Sequence, residues 1–80
     1  MLGARHPHTL VALSNLAGLL MDMGKLAEAE PLMREDLEGC REVYGATHED
    51  TLFSARNLAE VLDESGRTEE AARLRSEYGV

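Results

Sequence analysis

Three histidines, His6, His8 and His48, one cysteine, Cys40, and 15 carboxylates are the residues of this chain that could do chemistry. A zinc centre needs three or four converging His, Cys or carboxylate ligands, and the rest of the chain does not complete such a set around the histidines. His6 and His48 are separated by 42 residues and occupy equivalent positions of a duplicated segment, which marks them as turn or cap residues. Cys40 falls on an apolar stripe at helical spacing and reads as a small core residue rather than a nucleophile. The carboxylates are spread over solvent faces, with no pair placed for general acid–base work. The reading is a non-enzymatic chain with no catalytic residue, no metal and no cofactor.

The duplication dominates the organisation. Shifting the sequence by 42 residues superimposes Gly3-Ala4 on Gly45-Ala46, Thr9-Leu10 on Thr51-Leu52, and Asn15-Leu16-Ala17 on Asn57-Leu58-Ala59. The register holds through Leu20/Leu62, Gly24/Gly66, Glu28/Glu70, Ala29/Ala71, Leu32/Leu74 and Glu35/Glu77. In all, 14 of the 38 superimposed pairs are identical, against roughly three or four by chance, so two copies of one supersecondary unit are present.

Within each copy the apolar spacing is helical. Leu10, Leu13, Leu16, Ala17, Leu20 and Met23 share one face of a helix predicted from about Pro7 to Met23, closed by Gly24. Ala29, Leu32, Met33, Leu37, Cys40, Val43 and Tyr44 predict a second helix from about Leu26 to Tyr44. Pro31 is expected to disturb its opening turn. A third helix, with Thr47 as candidate cap and Asp50 reaching back, carries Leu52, Ala55, Leu58, Ala59 and Leu62 and ends at Ser65-Gly66. A fourth, from about Thr68 to Tyr78, carries Ala71, Leu74 and Tyr78 and is polar enough to face solvent at the end of an array. Strand signals are missing. Ala17 with Ala29, and Ala59 with Ala71, are small enough to let backbones approach. The fold class is all-α, an α-solenoid of two helix-turn-helix hairpins and four helices. One domain over 1–80 is expected, with repeat one at about 6–47 and repeat two at about 48–80.

Composition narrows the function. A formal charge of -7 argues against nucleic acid and anionic membrane surfaces, which call for clustered Lys and Arg. The single cysteine makes no internal disulfide, and no segment reads as a signal peptide or membrane span, so an intracellular, cytoplasmic address is the default.

These residues resemble the tetratricopeptide repeat, in the 42-residue form of kinesin light chains. The carriers are His6-Pro7, Thr9-Leu10, Asn15-Leu16-Ala17, Leu20, Gly24-Lys25, Glu28 to Leu32 and Tyr44-Gly45-Ala46, with His48, Thr51-Leu52, Asn57-Leu58-Ala59, Leu62, Gly66-Arg67, Glu70-Ala71 and Leu74 in the second copy. HEAT-type repeats have a similar period, but the order Asn-Leu-Ala, Gly, Glu-Ala-x-x-Leu stands against them. Asp36 departs from the pattern where a small apolar residue is usual, and packing there requires that it find a donor. Arg75 and Tyr78 also depart from it, as a terminal helix would.

The resemblance implies that the first helix of each pair lines a concave surface that binds a peptide or protein segment. On the first of these helices it points to Val11, Ser14, Asn15, Gly18, Met21 and Asp22. On the second it points to Phe53, Arg56, Asn57, Glu60, Asp63 and Glu64. Asn15 and Asn57 are the leading contacts, because a carboxamide both donates and accepts and so pairs with any peptide backbone. Phe53 offers an apolar anchor and Arg56 a carboxylate contact. The alternative for both asparagines is a hydrogen bond to a neighbouring helix.

A second expectation is self-association. Two repeats fall below the three or so that usually bury a continuous core, and Leu2-Gly3-Ala4 reads as the tail of a preceding unit. Pairing of chains, or neighbouring repeats, would cover the first and last helices.

Overall fold

Glycines set the helix boundaries. In the computed structural model, which describes Pro7 to Val80, the helices are α1 (Pro7–Asp22), α2 (Leu26–Tyr44), α3 (Glu49–Glu64) and α4 (Thr68–Tyr78). The expectations placed on Leu2 to Ala4 and on His6 lie outside the described residues. Gly24 and Gly66 adopt positive φ, 76° and 83°, which a side chain would resist. Each turns the chain so that two amides satisfy the last helical carbonyls. Lys25 N–H donates to Leu20 O at 2.8 Å and Gly24 N–H to Met21 O at 2.9 Å. Arg67 N–H donates to Leu62 O at 2.8 Å and Gly66 N–H to Asp63 O at 3.0 Å. This is the Schellman closure, built twice at equivalent positions.

One local expectation, the cap of α3, is corrected. The cap of α3 is His48 rather than Thr47: the helix opens at Glu49, and the His48 Nδ1 accepts from the Asp50 amide at 3.0 Å. The imidazole is held there by stacking on Tyr44, with ring centroids 4.7 Å apart. Glu49 and Asp50 then lie in the first turn, where the helix dipole favours negative charge. α2 runs on through Pro31, which stands early enough in the helix to remove only one backbone bond.

Each helix packs mainly on the next in chain order, giving two antiparallel helical hairpins set side by side in an α-solenoid. The core gathers Ala17 from α1, Met33 and Leu37 from α2, Ala55, Leu58, Ala59, Val61 and Leu62 from α3 and Ala71 from α4, with Leu32, Leu74 and Tyr78 packed on its edge. Ala29 is also fully buried, so all four small residues expected between paired helices are enclosed.

The apolar stripe of α1 splits, against expectation. Leu10 and Ala17 are buried, but Leu16 is 47% exposed and Met23 57%. Leu16 lies on a face of α1 that no described helix covers, and Met23 stands in the turn just past the end of that helix. The counterpart of Leu16 in α3, Leu58, is only 2% exposed because it meets the first hairpin. Val61, off the expected stripe, is wholly buried for the same reason.

Ion pairs join the hairpins at their outer edge. Glu30 on α2 receives Arg34 at 2.9 Å and Arg67 from the turn before α4. Glu70 on α4 receives the same two guanidinium groups, Arg67 at 2.9 Å. The Arg34 hydrogen bond holds the Glu70 carboxyl below its ordinary range and pushes the Arg34 pKa up. Arg75 closes the second hairpin through Asp63 at 2.7 Å.

Candidate peptide-binding groove

Helices α1 and α3 stand on either side of a groove whose floor is α2. Leu10, Val11, Ser14 and Asn15 form one wall, Asp50, Phe53 and Ser54 the other, and Asp36, Cys40 and Tyr44 the floor. The arrangement follows from helical spacing: 11, 14 and 15 share a face of α1, and 36, 40 and 44 recur every four residues along α2. The enclosed volume is about 230 Å³. Val11 and Phe53, on opposite walls, are more than half exposed.

The floor holds a buried polar cluster. Asp36 is 5% exposed, and its carboxylate accepts two hydrogen bonds from neutral donors. The Ser54 hydroxyl donates to Oδ2 at 2.7 Å, and the Cys40 thiol reaches Oδ1 at 3.7 Å. Cys40 Sγ also lies 3.6 Å from Ser54 Oγ. The donor that Asp36 needed is therefore Ser54, from the opposite hairpin. Burial pushes the Asp36 pKa above the ordinary carboxylate value; the two donors oppose the shift and the charge of Asp50 adds to it. Burial also raises the Cys40 thiol, which keeps it protonated and unreactive at neutral pH.

Of the residues expected on the concave face, the groove brings Val11, Ser14, Asn15 and Phe53 together. Gly18, Asp22, Arg56, Asn57, Glu60 and Glu64 do not line it. Met21 packs against the core instead, and Asp63 is engaged by Arg75. Neither Asn15 nor Asn57 makes a side-chain hydrogen bond to another described residue, so the carboxamides are not spent on a neighbouring helix. Arg56 is exposed and makes no ion pair with a described residue. Sequence reasoning missed Leu10, Asp36, Cys40, Tyr44, Asp50 and Ser54 as groove residues. Ser54 carried a usable signal, being a polar residue on a helix face otherwise made of Ala55, Leu58 and Leu62.

Among the described residues no three His, Cys, Asp or Glu side chains are grouped to hold a metal ion, and no helix is long and apolar enough to cross a membrane.

Comparison with known proteins agrees with the geometry. None of the curated proteins compared with the chain matches it. The family model described as the tetratricopeptide repeat matches residues 3–74, which takes in α1 to α3, the groove they form and the first part of α4. Repeats of this family generally mediate protein–protein interaction and are a non-catalytic type. With four helices in two hairpins among the described residues, closed at Gly24 and Gly66 alike, the chain belongs to the tetratricopeptide repeat family.

Proposed function

We propose that this chain is a non-enzymatic interaction module that seats a peptide or protein segment between α1 and α3. The observation that carries the reading is the groove itself, where exposed Val11 and Phe53 flank a carboxamide, Asn15, that no described residue engages. Apolar anchors provide contact area, and a free amide can bond to a peptide backbone. The remaining concave residues, Asn57 and Arg56 above all, would extend the contact along α3. The 42-residue period supports a kinesin light chain-like subtype with repeat one at about 6–47 and repeat two at about 48–80 in one domain. The charge of -7 supports protein rather than nucleic acid or membrane partners, and the lone buried cysteine an intracellular, cytoplasmic setting. Titration with peptides, followed by amide chemical shifts, tests the reading. Shifts are expected at Val11, Asn15, Phe53 and Ser54; shifts confined to α2 and α4 would overturn it.

One observation favours a second reading, self-association. Ala12, Leu16 and Leu19 form an exposed stripe on α1 that Met23 continues in the turn beyond it, with Leu19 56% exposed, while the counterparts Ser54, Leu58 and Val61 on α3 are buried against the first hairpin. The α1 stripe thus repeats a surface that the chain itself uses for packing, and a second copy would cover it. Light scattering over a concentration series tests this, with Leu16→Glu expected to shift any dimer to monomer. A chain that stays monomeric at high concentration rules the reading out.

A further inference from the structure

We propose that the groove between α1 and α3 selects a basic segment, with one Lys or Arg side chain of the partner inserted so that its cation meets Asp36 and Asp50 while its alkyl stem lies along Val11 and Phe53. The inference rests on the groove reading above and adds the chemistry of the ligand.

Size is the first argument. Small-molecule sites usually enclose about 300–1,000 Å³, whereas this groove encloses about 230 Å³ and is open. It therefore suits one long side chain of a larger partner better than a whole metabolite. Charge is the second. The lining contains two carboxylates and, among the described residues, no Lys or Arg. The Arg side chains that form ion pairs lie elsewhere, on Glu30, Glu70, Glu77 and Asp63. Among the described residues, Asp36 is compensated only by the Ser54 hydroxyl and the Cys40 thiol, both neutral. A carboxylate offers about four acceptor positions, so each Asp36 oxygen keeps capacity for a further donor. A negative charge held in a cleft with apolar walls attracts cations more strongly than one in open water, because little solvent screens it. Burial raising the Asp36 pKa is the same imbalance seen from the proton's side. An ammonium or guanidinium, which can only donate, relieves it.

The shape of the walls completes the match. Lys and Arg carry long apolar stems that pack on apolar surface while the head reaches a polar group. The Phe53 ring, exposed at the rim, can also lie against a cation by its face.

Selection of a random dodecapeptide library against the full chain, followed by amide shifts with the enriched peptides, tests the proposal. Peptides centred on Lys or Arg with apolar neighbours are expected, shifting Asn15, Phe53 and Ser54. Asp36→Asn should weaken them about tenfold, the scale of one charge-assisted hydrogen bond. Because Asp36 is buried, Asp50→Asn serves as the exposed variant, with a loss of about threefold at low salt that shrinks as salt screens the Asp50 charge of the parent. Neutral or acidic peptides that move the same amides, and bind both variants as tightly as the parent, would overturn the basic specificity and leave the groove standing. Peptides that move none of these amides would overturn the groove reading as well.

Discussion

Ser54 on α3 donates its hydroxyl hydrogen to Asp36 on α2 at 2.7 Å, and this single bond gives a buried carboxylate its closest donor across the boundary between the two hairpins. Ser54→Ala removes that donor and leaves an acceptor buried without its partner, so a loss of about 1–3 kcal/mol is expected. Urea unfolding measures it. The double variant Asp36→Ala/Ser54→Ala should lose clearly less than the sum of the single variants, because neither group is then stranded. Additive losses would show that the bond contributes nothing across the boundary.

Asp36 also sets a pH dependence. Its folded pKa is raised, so the folded chain binds more protons than the unfolded one as pH rises above the ordinary carboxylate value. Stability from this group therefore falls with rising pH, with the penalty absent in strong acid and growing until the pH has passed the folded pKa. Glu70 works in the opposite sense: its pKa is lowered, so its contribution is present at neutrality and lost in acid. Asp36→Asn should gain on the parent as pH is raised from 3 to 7, and Glu70→Gln should lose ground. A parent-to-Asp36→Asn difference that does not change with pH would contradict the burial described.

The equivalent leucines Leu16 and Leu58 should behave differently. Leu58→Ala empties a buried position and should lose about 2–5 kcal/mol, while Leu16→Ala, at 47% exposure, should lose less than about 1 kcal/mol at dilution. Chemical denaturation of the two variants at low concentration makes the comparison. Equal losses would mean that α1 is covered.

Glu30 joins Arg34 and Arg67 and is the most enclosed member of the outer ion-pair network, with a side chain 16% exposed. Glu30→Gln should lose about 1 kcal/mol, reduced by salt, whereas Glu28→Gln, paired with Lys25 only at 3.9 Å in solvent, should be nearly silent. Thermal melting at two ionic strengths separates them. Indistinguishable melting points would remove the network from the account of how the hairpins are held.

Gly66 has open space where a Cβ would go, so the cost of a side chain there is conformational alone. With φ at 83°, Gly66→Ala should lose about 1–2 kcal/mol. Gly66→Asn should lose less, since Asn tolerates that region. Melting temperatures give the order, and an unchanged value for Gly66→Ala would mean that the turn can rearrange.

Helix bounds were legible because apolar period and glycine position are local signals: α2 and α4 lie where Leu26, Tyr44, Thr68 and Tyr78 placed them. The duplication carried the rest of the fold, since one hairpin predicts the next. Two errors share a cause. Val61 lies on a second apolar face of α3, which packs on the first hairpin rather than on α4, and Leu16 lies on the equivalent face of α1, which no described helix covers. A single period cannot show which of two apolar faces finds a neighbour. The groove was half legible for the same reason. Val11, Ser14, Asn15 and Phe53 follow from position within a helix, but the meeting of Ser54 with Asp36 depends on the register between hairpins, which no stretch of one helix encodes.

Neighbour-only packing has a kinetic consequence. With each helix resting mainly on the one beside it in the chain, native contacts close short loops, and such topologies fold fast and lose structure from their edges inward. Amide hydrogens in the middle of α3, enclosed on both sides, should exchange last. Those of α1 and α4 should exchange early, so that a partner clasped between α1 and α3 would act as a clamp on the first helix to fray.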